Sequence, residues 1–352
     1  MGVNANGISS KHESLQHTVN ELNPSVIFLQ ETKLKKAGKL KYPNYIAIEL
    51  VRKNSAGGGL ATLVKSDLIP VWISEGDDTV EILVVEIRVN DLPIRIINCY
   101  GPQECDSQER KSLFWTRLHT EVVEAVDADT AFIVQMDGNL HAGSEIVEGD
   151  PNPINANGRL FSTFLKNNPI ISLINGSENC EGLLTRKRMK GGKTEEAILD
   201  FILVCDKLLP YVQKMVIDEA REYALSSYNN QGNPKHSDHF TEIIDFNISY
   251  RRQKPTREEN FKFKDTEGQK LFSEILNNES NLVKCFQNNE DIDTQTNNWL
   301  KQLNNIFHRC FKKVRVVHKV KETDSSKLLS KRIIIIIRYI FTVIDAHIVR
   351  QD

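Results

Sequence analysis

Residues 81–100 read EILVVEIRVNDLPIRIINCY, and this stretch decides the fold. Two apolar runs, residues 81–89 and 94–99, flank Asn90-Asp91, a pair typical of the tight turn in a β-hairpin. The second run ends at Tyr100, so a side chain with a polar hydroxyl follows directly on a strand. The stretch therefore predicts an antiparallel hairpin with a candidate functional residue at one end.

Apolar runs on both sides of this hairpin predict five further strands, at residues 26–29, 60–64, 131–136, 198–204 and 240–246. Helices are expected over residues 10–22, 108–126 and 158–166, the first of them opening with a capping-box pattern, Ser10-Lys11-His12-Glu13. Strands outnumber helices, and hairpins alternate with helical crossovers. The pattern favours an α/β (α+β) sandwich, in which two packed sheets have helices on the outside.

Polar residues lie at or near the ends of these strands. In chain order they are Asn4, Glu31, Tyr100, Asp137, Asn139 and Asp200, followed by the tripeptide Ser237-Asp238-His239. Strand ends can meet at one rim of a pair of sheets, where loops build functional sites. An acidic set that includes a histidine suits the cleavage of phosphate esters with a divalent metal.

Three of these residues are candidate metal ligands. Magnesium takes hard oxygen ligands and keeps several waters, so one or two carboxylates and an amide oxygen can hold it. Glu31, Asp238 and Asn4 supply those groups. The expected cofactor is Mg²⁺, with Mn²⁺ as the alternative.

The remaining polar residues suit the other steps of phosphodiester cleavage. Asp137 and Asn139 can orient and deprotonate a water, and Tyr100 can hydrogen-bond a phosphate oxygen. His239 can contact the phosphate or act as an acid or base, provided that a carboxylate fixes its tautomer. Asp200 is the candidate for that carboxylate.

Taken singly, most of these residues can also be explained by a structural role that involves no catalysis. Glu31 fits a surface position, Asn4 and the Asp137-Gly138-Asn139 sequence fit turns, and Tyr100 fits packing. Asp200 differs, because an acid inside an apolar strand needs a partner. The prediction therefore rests on the ordered set. No Walker loop, Gly-x-Ser-x-Gly elbow or His-Glu-x-x-His sequence offers a competing chemistry.

The charge is unevenly distributed along the chain. Residues 1–250 contain 25 Lys or Arg and 34 Asp or Glu, a net charge of −9, whereas residues 251–352 contain 20 and 13, a net charge of +7. The acidic part suits a domain that holds a cation. The basic part suits either a segment that approaches nucleic acid or a solvated helical face.

The composition changes after Phe246 and predicts four regions: a domain over residues 1–247, a basic linker over 248–265, a helical connector over 266–320, and a poorly ordered tail over 321–352. Two connector helices are predicted from apolar residues at helical spacing. One contains Leu271, Phe272, Ile275 and Leu276; the other contains Trp299, Leu303, Ile306, Phe307, Cys310, Phe311 and Val314. The Ile-rich tail is interrupted by charged residues and is not expected to span a membrane.

The six cysteines are scattered without a Cys-x-x-Cys pair, which argues against zinc ribbons and redox motifs. The start of the chain has neither the basic nor the apolar region of a signal peptide. A reducing intracellular compartment, nuclear or cytoplasmic, is expected.

Six sequence blocks, taken together and in order, resemble the endonuclease/exonuclease/phosphatase superfamily. They are Asn4-Ala5-Asn6-Gly7-Ile8, Gln30-Glu31-Thr32, Asn98-Cys99-Tyr100-Gly101-Pro102, Asp137-Gly138-Asn139, Leu199-Asp200-Phe201-Ile202-Leu203 and Ser237-Asp238-His239. Their spacing looks most like the apurinic-like endonuclease domain of non-LTR (LINE-type) retrotransposons. The resemblance covers residues 1–247.

This resemblance implies a DNase I-like fold, a four-layered α/β sandwich with two packed mixed β-sheets flanked by helices, here with a small C-terminal helical segment. It also implies a role for each matching residue: Asn4, Glu31 and Asp238 at the metal, Asp137 and Asn139 at the attacking water, Tyr100 near the phosphate, Asp200 paired with His239, and Ser237 in a supporting hydrogen bond. Thr185 falls near a position that lies on a DNA-facing loop in retrotransposon members.

The sequence departs from the family pattern at two places in this domain. Only Met1-Gly2-Val3 precede Asn4, where members usually have a strand, so the N-terminal strand is expected to be truncated. The usual Gly-Asp-Phe-Asn block reads Met136-Asp137-Gly138-Asn139, and Gly138 is expected to loosen the turn. Residues 250–317 are similar to the connector that precedes the reverse transcriptase in such elements, but none follows, so we interpret the chain as a fragment of a retroelement open reading frame.

The leading functional hypothesis is a monomeric, metal-dependent endonuclease whose partners are DNA and a reverse transcriptase domain in a longer parent protein. Its nick would leave a 3′-hydroxyl and a 5′-phosphate, and that 3′-hydroxyl would prime reverse transcription. Two alternatives stay open. One is another branch of the superfamily: a repair nuclease, a deadenylase, or a lipid or inositol phosphodiesterase. The other is a non-catalytic retroelement remnant. The basic connector favours nucleic acid over lipid.

Overall fold

The hairpin predicted at residues 81–100 is present. Glu81–Val89 pairs with Leu92–Tyr100 in antiparallel register from Glu81 opposite Tyr100 to Val89 opposite Leu92, so two residues separate the strands. Asn90, the first of them, has a positive φ of 56°. Asn tolerates this left-handed conformation, which the favoured two-residue hairpin turns require. The hairpin places Tyr100 at the end of its second strand, opposite Glu81.

A computed structural model describes residues 1–53, 57–90, 92–228, 231, 234–248, 259–261, 266–278, 306, 310 and 313–315. The chain divides into two units, Met1–Gln253 and Lys254–Asp352. The strands of the first unit are β1 (Gly2–Asn4), β2 (Val26–Gln30), β3 (Tyr45–Leu50), β4 (Leu60–Lys65), β5 (Val71–Glu75), β6 (Glu81–Val89), β7 (Leu92–Tyr100), β8 (Ala131–Asp137), β9 (Ile171–Leu173), β10 (Cys180–Glu181), β11 (Arg186–Lys190), β12 (Lys193–Ala197), β13 (Asp200–Cys205), β14 (Val212–Ile217), β15 (Ser226–Tyr228), β16 (Pro234–His236) and β17 (Glu242–Phe246). Its α-helices are α1 (His12–Leu22), α2 (Gln108–Asp127) and α3 (Ala156–Asn167), and Ser66–Leu68 and Leu209–Tyr211 form 3₁₀ turns.

Most of these strands belong to two mixed sheets. One has the order β10-β14-β17-β1-β2-β4-β3 and the other has the order β5-β6-β7-β8-β13-β9. The pairs β1–β2, β10–β14 and β7–β8 are parallel, and the remaining neighbours are antiparallel. Two hairpins, β11–β12 and β15–β16, stand apart from the sheets.

The two sheets pack face to face, and helices cover their outer faces. Between the sheets, Phe28 and Leu60 of the first share one core with Val84 of the second. Helix α1 covers the outer face of the first sheet with Leu15 and Val19. Helices α2 and α3 pack onto the second sheet through aromatic residues that include Phe114, Trp115 and Phe161. The four-layered α/β sandwich expected from the sequence is therefore confirmed.

The start of the chain forms a short strand, β1, which ends at Asn4. Strand β1 pairs in parallel with β2 over all three of its residues and meets β17 at Gly2, opposite Glu242. Burial explains why so short a segment holds its place, since Met1 and Val3 are 6% and 2% exposed. The polar side chain of Asn4 thereby lies at the end of an interior strand.

Helix α1 begins differently from the capping-box prediction. Its first residue is His12, the N-cap position is Lys11, and no side chain caps the helix. The Lys11 side chain turns instead toward the preceding loop, where its ammonium donates to the carbonyl oxygens of Ala5 and Asn6. Lys11 thus stabilises the loop that follows Asn4.

In the second unit, the structure describes α4 (Thr266–Asn278) and a short pair of strands, β18 (Glu259–Phe261) and β19 (Lys313–Arg315). Helix α4 contains the first predicted apolar stripe of the connector. Val314 was expected in the second connector helix but lies in β19, opposite Asn260, in a run rich in β-branched valine. Apart from Ile306, Cys310 and β19, the second helix and the tail lie outside the described residues. None of the described helices is long and apolar enough to cross a bilayer.

Candidate active site

The register of the strands brings the predicted polar residues to one rim of the sandwich. Tyr100 at the end of β7 lies beside Asp137 at the end of the parallel strand β8. Asp200, the first residue of the antiparallel strand β13, lies opposite Asp137 on its other side. In the facing sheet, Asn4 ends β1 beside Gln30, the last residue of β2, and Glu31 directly follows that strand.

His239, Asp200 and Asp137 form a buried cluster at this rim. The Nδ1 atom of His239 lies 2.8 Å from Oδ2 of Asp200, and its Nε2 atom lies 4.0 Å from Oδ2 of Asp137. The three residues are 6%, 2% and 1% exposed. Among the described residues, these three are the one group of acidic, histidine or cysteine side chains whose ligand atoms all lie within 4.8 Å of one another.

The charges of this cluster shift the pKa of two of its members. Burial opposes the charged imidazole, but Asp200 and Asp137 outweigh it and raise the pKa of His239 to about 9. Burial and the neighbouring Asp200 raise the pKa of Asp137 to about 7. At neutral pH the imidazole is therefore protonated, and Asp137 titrates near the working range of an enzyme.

Thr185 fixes the backbone at Asp200 through its buried hydroxyl. Its hydroxyl oxygen accepts the backbone N–H groups of Leu199 at 2.8 Å and of Asp200 at 3.0 Å. Thr185 has no exposed surface, so its side chain supports Asp200 from within the core. The cause is the pairing of its own backbone with Ala197 and Phe240, which turns the side chain into the core.

Asn4 connects the acidic cluster to the other sheet. Its side-chain amide donates to Oδ2 of Asp137 at 2.6 Å, and its Oδ1 accepts the backbone N–H of Asn6 at 2.8 Å. The hydroxyl of Ser237 donates to the backbone carbonyl of Asn4 at 2.8 Å. Ser237 therefore makes a supporting hydrogen bond that ties the segment before His239 to β1.

The Asp137-Gly138-Asn139 turn is held by hydrogen bonds rather than loosened by its glycine. The Asn139 side chain donates to the carbonyl of Gly101 at 2.9 Å, and the Asn139 N–H donates to Oδ1 of Asp137 at 3.1 Å. The Gly138 N–H donates to the carbonyl of Leu199 at 2.7 Å. These bonds join the turn to the ends of β7 and β13.

Glu31 lies between a tyrosine and a lysine. Its Oε1 accepts the hydroxyl of Tyr100 at 2.6 Å, and its Oε2 lies 2.8 Å from the Lys33 ammonium. Burial raises the pKa of Glu31, but these two partners outweigh burial and lower it. Burial also raises the pKa of Tyr100, so its hydroxyl stays protonated and can donate.

Asp238 lies beside Arg186 on the next segment of the rim. Its Oδ2 accepts Nε of Arg186 at 2.9 Å, and its Oδ1 is 3.4 Å from the side-chain amide of Asn6. Burial opposes ionisation, but His239 and Arg186 outweigh burial and lower the pKa of Asp238. The carboxylate is therefore ionised at neutral pH.

The three predicted metal ligands lie around one small network. The Lys33 ammonium that contacts Glu31 also donates to Oδ1 of Asn6 at 2.6 Å, and Asn6 in turn reaches Asp238. Glu31 and Asp238 are thus separated by one lysine and one amide side chain. Their ligand chemistry fits a hard divalent cation, because both carboxylates are ionised and such cations prefer carboxylate oxygens.

Sequence reasoning missed Asn6, Lys33 and Arg186 as members of this site. The sequence offered one signal for the first two, since Asn6 and Lys33 each lie two residues after a predicted site residue, Asn4 and Glu31. Backbone conformation marks them as well, because Asn6, Glu31, Lys33 and Asn139 all have positive φ. Such conformations in residues other than glycine cluster at functional sites.

Solved structures share this architecture. The endonuclease domain of TRAS1, a telomere-specific non-LTR retrotransposon, matches with a TM-score of 0.51 and 14% identity over 70% of this chain and 96% of that chain. The 3′ phosphatase NExo from Neisseria, bound to a product DNA hairpin, matches with a TM-score of 0.53 and 16% identity over 70% and 97%. The catalytic domain of APE2 from Xenopus laevis matches with a TM-score of 0.52 and 18% identity over 71% and 93%.

At these identities the likeness establishes the fold, and it confirms the α/β sandwich implied by the resemblance to the endonuclease/exonuclease/phosphatase superfamily. No protein-family model matches the chain, and no curated protein does.

Proposed function

We propose that this chain is a divalent-metal-dependent phosphodiesterase that nicks one strand of DNA and leaves a 3′-hydroxyl. The main support is the buried cluster of His239, Asp200 and Asp137 at the rim where the strand ends meet. A histidine held by one carboxylate beside a second carboxylate with a raised pKa provides both an acid and a base. The fold shared with nucleases is consistent with this chemistry.

His239 acts as a positively charged donor toward the phosphate. Its Nδ1–H is directed to Asp200, which fixes the ring and leaves Nε2–H as the second donor of the imidazolium. With its pKa raised to about 9, the ring keeps both protons at neutral pH. It can therefore stabilise negative charge that develops on a phosphate oxygen.

Asp137 acts as the base that orients and deprotonates the attacking water. Its pKa near 7 lets it accept a proton at neutral pH without binding that proton too tightly to release it. Asn4 and the N–H of Asn139 hold its two oxygens in fixed directions. The orientation of the base therefore comes from both sheets of the sandwich.

Glu31, Asp238 and Asn4 would hold the metal, as their donor chemistry allows. When bound, a divalent cation would neutralise the phosphate oxygens and help the leaving alkoxide. Tyr100 donates to Glu31 in the structure, so we assign it first to positioning that carboxylate and then to the nearby phosphate. Mg²⁺ is the proposed metal, and Mn²⁺ is its expected substitute.

We also propose that the nick serves a retroelement, where the 3′-hydroxyl would prime the reverse transcriptase domain of a longer parent protein. The six ordered sequence blocks and the fold shared with the TRAS1 domain support this assignment.

The function is tested by incubating supercoiled plasmid with the protein and Mg²⁺ and following the nicked circle on a gel. The wild type is expected to nick, EDTA is expected to abolish nicking, and His239→Ala is expected to lower the rate by about 10²-fold to 10⁴-fold. Lys207→Gln is the control, since this exposed lysine pairs with Asp129 away from the site. Equal nicking by wild type and His239→Ala would refute the proposal. So would removal of terminal phosphates or nucleotides from linear DNA without any nicking.

A further inference from the structure

Arg186 pairs with the carboxylate of Asp238 in the Ser237-Asp238-His239 tripeptide, and it uses only one of its side-chain nitrogens to do so. Its Nε donates to Oδ2 of Asp238 at 2.9 Å. In the part of the chain that the structure describes, neither of its two terminal amino groups has a hydrogen-bond partner. The side chain is 17% exposed, so it is partly buried at the rim.

The backbone around Arg186 fixes this geometry. Arg186 is paired with Ala197 in the β11–β12 hairpin and also forms a backbone bridge with His239. The next residue, Lys187, donates its N–H to the carbonyl of Asp238 at 2.9 Å. Arg186 therefore cannot shift along the rim without moving the segment that contains Asp238 and His239.

A second arginine, Arg221, also binds the segment that contains Ser237 and Asp238. Arg221 donates to the carbonyl of Ser237 at 2.5 Å and to that of Lys187 at 3.2 Å, and its guanidinium lies 4.6 Å from the ring centroid of Phe240. Because Arg221 uses its guanidinium in these contacts, we assign it a structural role. Arg186, in contrast, keeps donors available for a ligand.

The two oxygens of Asp238 have different surroundings. Oδ2 is bound to Arg186, whereas the side-chain contact of Oδ1 among the described residues is the long 3.4 Å one with Asn6. One carboxylate can thus direct the guanidinium through Oδ2 and still offer Oδ1 to a metal. A guanidinium held through Nε presents its two terminal amino groups as a planar fork, which matches the oxygens of a phosphate.

We infer that Arg186 is a DNA-phosphate-binding residue of this site, oriented by Asp238 so that its terminal amino groups contact the phosphate backbone of the substrate. The inference rests on the proposed function and deepens it, because it names the group that holds the DNA next to the metal site. Arg186 contacts the DNA phosphate, and Asp238 keeps its hydrogen bond to Arg186 through Oδ2 while Oδ1 binds the metal.

The test measures DNA binding by fluorescence anisotropy with a labelled DNA duplex in EDTA, in about 50 to about 200 mM salt. Each phosphate contact contributes about 0.9 to the slope of log affinity against log salt concentration. Arg186→Gln is expected to reduce the slope by about that amount, whereas Lys207→Gln removes an equal charge elsewhere and should keep the wild-type slope. Arg186→Lys, which retains the charge but loses the fork, should bind more weakly with a nearly unchanged slope.

A second measurement separates substrate binding from a scaffold role. Mn²⁺ binding, followed by electron paramagnetic resonance, should be retained in Arg186→Gln, because Oδ1 of Asp238 stays available. A wild-type slope in Arg186→Gln would overturn the inference alone, and so would loss of Mn²⁺ binding in that variant. Absence of salt-dependent DNA binding by the wild type would overturn the proposed DNA substrate and the inference together.

Discussion

His239 is the residue on which the carboxylates of the rim act together. Asp200, Asp137 and Asp238 all favour its protonated form, and together they outweigh the cost of burying the imidazolium. A folded-state pKa above the ordinary value of 6.5 means that protonation stabilises the fold. This stabilisation is fully present below about pH 6.5 and is lost as the pH rises through about 9.

The titration of His239 is directly measurable in the metal-free protein. Imidazole ¹H–¹⁵N correlation spectra should show this ring titrating near pH 9, with Nδ1 protonated throughout. Asp200→Asn removes the largest favourable charge, so the pKa of His239 should fall by at least one unit in that variant. The exposed His17 provides a reference signal in both proteins. A titration of His239 that is the same in both proteins would show that Asp200 does not set its charge.

At the residue scale, the sequence predicted which residues lie together at this rim better than it predicted their hydrogen bonds. An acid inside an apolar strand needs a partner, and this general requirement pointed to the Asp200–His239 contact. The ion pair of Arg186 with Asp238 joins residues 52 positions apart. No local pattern specifies such a contact, because it depends on the register of a hairpin against a distant loop.

Thr185 shows how one element positions another at the level of strands. Its hydroxyl accepts two buried N–H groups at the start of β13, so Thr185→Val should leave both unsatisfied. The expected cost is about 1–3 kcal/mol in the free energy of unfolding, measured by urea denaturation, with reduced nicking because Asp200 moves. Thr185→Ser should retain stability and activity. Thr163→Ala, on the exposed face of α3, should change the unfolding free energy by less than about 0.5 kcal/mol.

Two facing glycines at the ends of β7 and β8 provide a second test of positioning. A Cβ on Gly101 would lie 2.5 Å from the backbone carbonyl oxygen of Gly138, whereas a Cβ on Gly138 would meet side-chain atoms of Leu140 and Phe201 at 3.0 and 3.2 Å. Backbone yields less than side chains do, so Gly101→Ala should destabilise the fold and slow nicking more than Gly138→Ala. Thermal denaturation and plasmid nicking measure both effects. The reverse order would show that the turn is not held between these strands.

Elements with clear apolar periodicity were predictable, and elements stabilised by long-range contacts were not. The 81–100 hairpin, helix α2 and strand β8 each have a local pattern that agrees with their final environment. Hairpin β11–β12 has none, since its strands read RKRMK and KTEEA. Its cross-strand ion pairs, Lys187 with Glu196 and Arg188 with Glu195, appear only once the register is known.

At the scale of the whole molecule, polar contacts between the two sheets fix the rim. Gln30 of β2 donates to Asn98 of β7 at 2.8 Å, and Gln135 of β8 donates to Glu242 of β17. Burial and the nearby Asp200 raise the pKa of Glu242 to about 8, so this carboxyl is largely neutral at pH 7. These buried contacts hold the sheets in one relative position, and the site depends on that position because its residues come from both sheets.

The central claim is that residues from separate strands act as one catalytic site built on the Asp200–His239 pair. A double-mutant cycle on the plasmid-nicking rate tests this most directly, using wild type, Asp200→Asn, His239→Ala and the double variant in Mg²⁺. If the pair acts as a unit, each single variant should lose about 10²-fold to 10⁴-fold and the double variant should be no slower than His239→Ala. Losses that multiply in the double variant, or nicking at the wild-type rate in either single variant, would contradict the account.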